Sequence, residues 1–247
     1  MKAMIFAAGL GTRLKPITDT LPKALLPIGG KTLLEWQLDK LREAGIRDVV
    51  INVHHLAEQI VDFVQAHDGF GMNISFSDER AQLLETGGGL RKAGDLLGQN
   101  EPTLVCNVDV LNNIDLKSYI ASHKPEALAT IVVSERPTQR YFLFDETLRL
   151  QGWTNIQTGE VKPAGLEANG LKKLAFSGMH IVSPAIFEAM AGYPEKFSIT
   201  DFYIEQCRNY LIKAHVPSDY RMMDIGKIDH LQEAERFAAE LNSAVSR

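Results

Sequence analysis

Gly9-Leu10-Gly11-Thr12-Arg13, followed ten residues later by Lys23, is the first part of the sequence whose residue types and spacing could do chemistry. Both glycines lack a Cβ and can adopt positive φ, so backbone N–H groups at this turn can close on a bulky anion. Arg13 offers a bidentate fork for phosphate oxygens, and Lys23 a compact point charge. Pro16 and Pro22 stiffen the segment that carries the two cations. The pattern implies a polyphosphate cradle; the competing reading is a tight strand-to-loop turn with two solvated cations. The chain has no Gly-x-x-x-x-Gly-Lys-Ser/Thr. Its glycine turn also departs from Gly-x-Gly-x-x-Gly, with Pro16 opposing a long helix directly after it, so neither a P-loop nor a dinucleotide fingerprint is present.

Two carboxylates stand where an ionised group needs partners. Asp109 follows the apolar run Leu104-Val105-Cys106, which predicts a strand presenting the acid at the sheet edge. Asp224 lies between apolar residues and a glycine in Met222-Met223-Asp224-Ile225-Gly226. Burying an unpaired carboxylate is costly, so each calls for a cation or hydrogen-bond donors. On the residues alone, a strand-end cap, an ion pair and a metal ligand all remain open. Glu85-Thr86-Gly87-Gly88-Gly89 is a third constellation. Three glycines before a helix make a hinge, or let the backbone approach a flat ligand where the helix N-terminus favours anions. Cys106 reads as a core thiol, and His54 and His55 as structural residues at a strand end. No Ser/His/Asp or Cys/His arrangement points to a covalent intermediate.

The elements that must position these residues alternate through the first half. Strands are expected at 4–8, 49–53, 73–77 and 103–108. Between them come an amphipathic helix at 32–44, with Leu33, Leu34, Leu38 and Leu41 on one face and Gly45 as its stop, and helices at 56–66 and 87–97. This order predicts an α/β fold, a Rossmann-like mixed, mainly parallel sheet flanked by helices with right-handed crossovers. Ligands of such sheets bind beyond the carboxyl ends of strands, where both the glycine turn and Asp109 fall. The second half predicts helices at 116–122 (capped by Asp115), 185–190, 200–211 and 229–239. Its expected strands are at 130–133, 141–144, 149–153 and 174–182. Residues 158–170, rich in glycine and charge, read as a mobile loop.

Length, charge and cysteine usage narrow the function classes. The 247 residues can bury a full core. A net charge of −5 and a pI near 5.8 argue against non-specific nucleic-acid binding, so a phosphate site must be local. Cys106 and Cys207 make no disulfide framework and no zinc pattern, which suggests a reducing compartment. There is no signal-peptide pattern and no run of about 18 apolar residues, so no membrane association is expected and a cytoplasmic location is.

Ala-Ala-Gly-Leu-Gly-Thr-Arg-Leu at 7–14 and Leu-Pro-Lys-Ala-Leu-Leu-Pro at 21–27 resemble the signature of the sugar-1-phosphate nucleotidyltransferases. Asn107-Val108-Asp109-Val110 and Met223-Asp224-Ile225-Gly226 resemble that family's metal-binding segments. Ala24 stands where many members have proline, and Val108 and Phe142 where members have glycine. The resemblance runs from residue 1 to about 235 and implies a single GT-A-like nucleotidyltransferase domain over 1–247. Residues 1–110 would be its nucleotide-binding half and 111–247 its sugar-phosphate-binding half.

The implied activity joins a nucleoside triphosphate to a sugar 1-phosphate and releases pyrophosphate. By the resemblance, Ala8, Gly9, Gly11, Thr12, Arg13 and Lys23 hold the triphosphate, while Thr86, Gly87 and Gly88 lie against the nucleobase. Asp109 and Asp224 chelate Mg2+, and Arg13, Lys23, Asp109 and Asp224 are the catalytic set. Arg140, Tyr141, Lys162, Ser177 and Gly178 line the acceptor side. A phosphomonoester is already ionised near neutral pH, so attack needs no protein base. The motifs are most similar to members that use UTP and N-acetylmuramate 1-phosphate in cell-wall recycling. Guanylyl transfer to mannose or heptose 1-phosphate is one alternative, and a non-catalytic sugar-nucleotide sensor another. A monomer or weak homo-oligomer is expected, without a nucleic-acid partner.

Overall fold

Apolar residues at the start of the chain form a strand, Lys2–Phe6, in which Ala3, Met4 and Ile5 are fully buried. The computed structural model describes residues 1–98 and 100–245, with side chains through Ser243. This strand pairs in parallel with Asp48–Val53, which pairs in parallel with Asn73–Asp78. Their β-branched and aromatic content suits a sheet covered on its faces. The first strand starts and ends earlier than the expected 4–8. Its ladder stops at Phe6 opposite Asn52, and the Asn52 side chain takes over the next two N–H groups.

Chain contacts group into two compact units, each discontinuous in sequence. One comprises residues 1–83, 105–116 and 221–247; the other comprises 84–104 and 117–220. The first unit holds the parallel strands and the helix Leu33–Glu43. Thr32 caps that helix in a reciprocal box: its hydroxyl accepts from Glu35 N at 3.1 Å, and the Glu35 carboxylate accepts from Thr32 N at 2.6 Å. Leu33, Leu34, Leu38 and Leu41 are buried as their spacing predicts. A two-stranded antiparallel ladder, Val110–Asn112 with Met222–Asp224, completes the part of this unit that matters below.

The second unit is mostly antiparallel. Glu160–Lys162, Leu150–Asn155, Arg140–Phe144, Lys172–Val182 and Ala129–Ser134 pair in that order, and Ile212–His215 joins Ala129–Ser134 in parallel. The expected α/β class and mixed sheet with flanking helices are thus present, with the parallel pairing concentrated in the first unit. Several local expectations need correction. Residues 158–170 include a strand, Glu160–Lys162, because cross-strand pairing with Trp153 to Asn155 orders it. The helix expected over 200–211 is Ile199–Gln206, and Ile212 onward leaves it to pair in the sheet. The stretch 87–97 is two helices, Glu85–Lys92 and Gly94–Leu97. The last helix runs Leu231–Val245. Among the described residues, no helix is long and apolar enough to cross a membrane.

Candidate active site

Gly11 is the residue that makes the turn. It sits in the left-handed region (φ 63°, ψ 25°), and a Cβ there would come 2.7 Å from the Thr18 methyl. Its carbonyl accepts from Leu14 N at 2.8 Å and from the Thr18 hydroxyl at 2.9 Å, closing a single turn of 3-10 helix over Thr12–Leu14. Thr12 and Arg13 are exposed on it. Gly9 does not take positive φ, and an added Cβ would meet nothing within 4 Å.

Asn52 supports this turn and went unnoticed in the sequence. Its Oδ1 accepts from Ala7 N at 2.7 Å and from Ala8 N at 3.3 Å, so the Ala8 N–H is already engaged within the protein. The amide is oriented because Nδ2 donates to the Glu79 carboxylate at 2.7 Å, and an acceptor-only acid leaves Oδ1 to face the strand end. Both residues are buried, Glu79 completely. His54 Nδ1 lies 2.7 Å from the Glu79 carbonyl, and His55 Nε2 lies 2.9 Å from the Thr18 carbonyl, the structural roles their positions suggest.

The same unit brings the two acids together. Asp224 faces Val110 across the short ladder, and Ile225 N donates to the Asp109 carbonyl at 2.9 Å. Lys23 forms an ion pair with Asp109, its side chain only 11% exposed. Gly226 shows where Arg13 lies: a Cβ there would be 2.7 Å from both the Arg13 guanidinium and the Asp224 carboxylate. Arg13, Lys23, Asp109 and Asp224 are therefore gathered about one ladder end. Helix Leu33–Glu43 braces that ladder through Gln37 Nε2, which donates to the Val110 carbonyl at 3.0 Å, and through Lys40, which donates to Asn112. Burial lowers the Lys40 pKa to about 8. Gln37 and Lys40 could have been flagged as polar residues on or beside an apolar helix stripe.

Among the described residues no three His, Cys, Asp or Glu side chains form a ready metal cluster. Two carboxylates at one ladder end nonetheless suit a hard cation that takes its remaining ligands from substrate oxygens and water. Burial pushes the Cys106 thiol up to about 12, as befits a core residue.

In the second unit, Thr86, Gly87 and Gly88 serve close packing. Gly87 N and Gly88 N donate to the Phe197 carbonyl at 2.9 and 3.1 Å, and the Thr86 hydroxyl accepts from Ile199 N at 3.0 Å. A Cβ at Gly87 would come 2.4 Å from the Phe197 ring, and one at Gly88 2.3 Å from the Glu195 carbonyl. The two glycine N–H groups are not the free helix N-terminus that three glycines suggested.

Of the five acceptor-side residues, Arg140 and Lys162 line one pocket of about 350 Å3, while Tyr141, Ser177 and Gly178 do not line it. The Tyr141 hydroxyl accepts from Thr138 N at 2.9 Å. Ser177 is buried, and Gly178 takes φ 71° within an irregularity of strand Lys172–Val182. Arg136, Trp153 and Asp201 line the pocket too and were missed in sequence. They come from a loop, a strand and the helix Ile199–Gln206, a convergence that no local sequence pattern reveals.

A nucleotidyl transferase family model matches residues 2–240, nearly the whole chain. An N-acetylmuramate alpha-1-phosphate uridylyltransferase from Neisseria meningitidis serogroup B is 36% identical over 242 residues, covering 96% of this chain and 98% of that protein. A protein of the same name from Caulobacter vibrioides is 35% identical over 196 residues, covering 74% of this chain and 76% of the other. The fold is also that of a UDP-glucose pyrophosphorylase solved with UDP-glucose, with a TM-score of 0.77 at 23% identity, covering 97% of this chain and 99% of that one. The chain belongs to the sugar-1-phosphate nucleotidyltransferase family and is an enzyme of that class.

Proposed function

We propose that this enzyme transfers the uridylyl group of UTP to N-acetylmuramate 1-phosphate, releasing pyrophosphate. The observation that carries the site assignment is the convergence of Arg13, Lys23, Asp109 and Asp224 about one ladder end. The substrate assignment is supported by the near full-length relative of that activity. In this reading Gly11 and the Thr12–Leu14 turn cradle the triphosphate. Arg13 and Lys23 neutralise charge that grows on the leaving pyrophosphate and on the attacked α-phosphate. Asp109 and Asp224 hold Mg2+, which when bound would supply further charge neutralisation at the α-phosphate. Lys23 exchanges its contact with Asp109 for one with phosphate. The phosphate oxygen of the acceptor attacks in line as an existing anion, so no side chain needs to remove a proton.

Residues 1–110 supply most of the nucleotide side, with Thr86, Gly87 and Gly88 assigned to the base. Residues 111–247 supply the acceptor side through Arg140, Tyr141, Lys162, Ser177 and Gly178. The enzyme works in the cytoplasm as a monomer or weak homo-oligomer. The test is pyrophosphate release with Mg2+ from UTP, GTP, ATP and dTTP, each against N-acetylmuramate, glucose, mannose and heptose 1-phosphates. UTP with N-acetylmuramate 1-phosphate should turn over fastest. Faster turnover of GTP with mannose or heptose 1-phosphate would replace this reading by the guanylyl one, and silence across the panel would remove it.

A further inference from the structure

A helix that packs through an apolar stripe has no need of a buried amide, yet Leu33–Glu43 carries one. Gln37 falls among Leu33, Leu34, Leu38 and Leu41 on the buried face and is only 3% exposed. An apolar side chain would bury there without hydrogen-bonding cost, whereas an amide must find partners. It finds them beside Asp109. Gln37 Nε2 donates to the Val110 carbonyl at 3.0 Å and lies 3.5 Å from the Val108 carbonyl. The peptide groups on both sides of Asp109 are thus tied to one side chain. One turn along the helix, the Lys40 ammonium donates to the carbonyl and the side-chain oxygen of Asn112.

Successive residues of an extended strand turn their backbone groups to opposite edges. Here the odd-numbered residues bond across the ladder. The Asp109 carbonyl accepts from Ile225 N at 2.9 Å, and Asn113 N donates to the Arg221 carbonyl at 3.1 Å. The even-numbered carbonyls of Val108, Val110 and Asn112 face the other edge, where Gln37 and Lys40 meet them. A two-stranded ladder of three residues a side is marginal alone, and its open edge would leave those carbonyls unpaired. Two side chains of the helix take the place of a third strand.

We infer that Gln37 and Lys40 are positioning residues for the acid pair, fixing the ladder edge so that Asp109 and Asp224 keep one separation. They act through the peptide groups of residues 108, 110 and 112 and touch neither substrate nor metal. The inference rests on the proposed assignment of Asp109 and Asp224 to Mg2+ and adds the residues that hold that pair in register. A pair of ligands works only when held to within about half an ångström of its productive geometry. A slack ladder should therefore weaken the Mg2+-dependent part of phosphate binding and leave the part due to Arg13 and Lys23 in place.

Gln37→Met and Lys40→Met keep the volume and remove the donors. Inorganic tripolyphosphate, which carries neither base nor sugar, is titrated into each whole protein by calorimetry, with Mg2+ and without it. The gain in affinity that Mg2+ brings should shrink about tenfold in either variant, while affinity without Mg2+ changes less than about twofold. With the fastest donor and acceptor of the pyrophosphate panel, kcat should fall about tenfold and KM for the triphosphate stay within about twofold. Lys40→Arg, which keeps a donor at the Asn112 oxygens, should retain most of the gain, and urea unfolding checks that each variant is folded. A Mg2+-dependent gain that both methionine variants keep, or binding that falls equally with and without Mg2+, overturns the inference. Asp109→Asn separates the two readings. If it too keeps the gain, the acid-pair assignment fails with the inference; if it alone loses the gain, only the positioning role fails.

Discussion

The two charged regions hold their cations in opposite ways. In the first unit Lys23 is nearly buried on Asp109, and the Arg13 guanidinium abuts the same glycine as the Asp224 carboxylate. In the second, Arg140 is exposed without a side-chain partner and Lys162 leans on an indole ring. The first is a preorganised array whose charges are largely balanced before any ligand arrives. The second is unbalanced and gains most from a ligand of opposite sign. Preorganised charge favours transition-state stabilisation, whereas unbalanced exposed charge favours selection among ligands.

Breaking the balanced array should have the largest effect. Asp109→Asn keeps the shape but removes the charge, and turnover should fall about a thousandfold, on the order of 4 kcal/mol in the barrier. A loss under tenfold would take Asp109 out of the chemistry. Next comes the support beneath the glycine turn. Asn52→Leu leaves the Ala7 and Ala8 N–H groups and the Glu79 carboxylate without their amide partner, and should cost about 3 kcal/mol in urea unfolding. An unchanged midpoint would show that the amide merely fills space.

The second unit should answer through packing rather than charge. Gly88→Ala sets a methyl against the Glu195 carbonyl and should destabilise by about 2 kcal/mol, whereas a neutral result would mean the loop yields freely. The smallest effect is a pH dependence. Full burial lowers the His180 pKa from 6.5 to about 3, and its Nδ1 is hydrogen-bonded to the Tyr203 hydroxyl. The unfolded chain takes up a proton first, so the contribution of neutral His180 is complete above pH 6.5. It declines as pH falls from there toward 3, by roughly 1 kcal/mol over the first unit. His180→Gln should flatten that part of the stability profile; an unaltered slope would assign it to other groups.

Much of this contrast was legible in the residues. Gly11, Arg13, Lys23, Asp109 and Asp224 each stood out from their local pattern, but it was the family resemblance that grouped them. Gly87 and Gly88 were legible as a place of close approach, yet glycine says nothing about what approaches, and here part of the answer is Phe197 and Glu195. Asn52 was hidden because one amide within a strand of apolar neighbours has no periodic signature. The ladder that joins Asp109 to Asp224 has three residues on each side, too few to show alternation. The pocket wall depended on register between Phe142, Trp153 and Lys162, which hydrophobic pattern alone does not set.

The first unit is stitched from three separate stretches, the last of them beginning at residue 221. As the polypeptide emerges from the ribosome, Asp109 is synthesised long before the strand that carries Asp224, which pairs with the neighbouring Val110. A nascent chain of the first 220 residues lacks one of the two acids. Pairing so distant in sequence also slows the search for the native contact. The acid pair is therefore assembled only once the chain has been synthesised past residue 224, and fragments released earlier lack it.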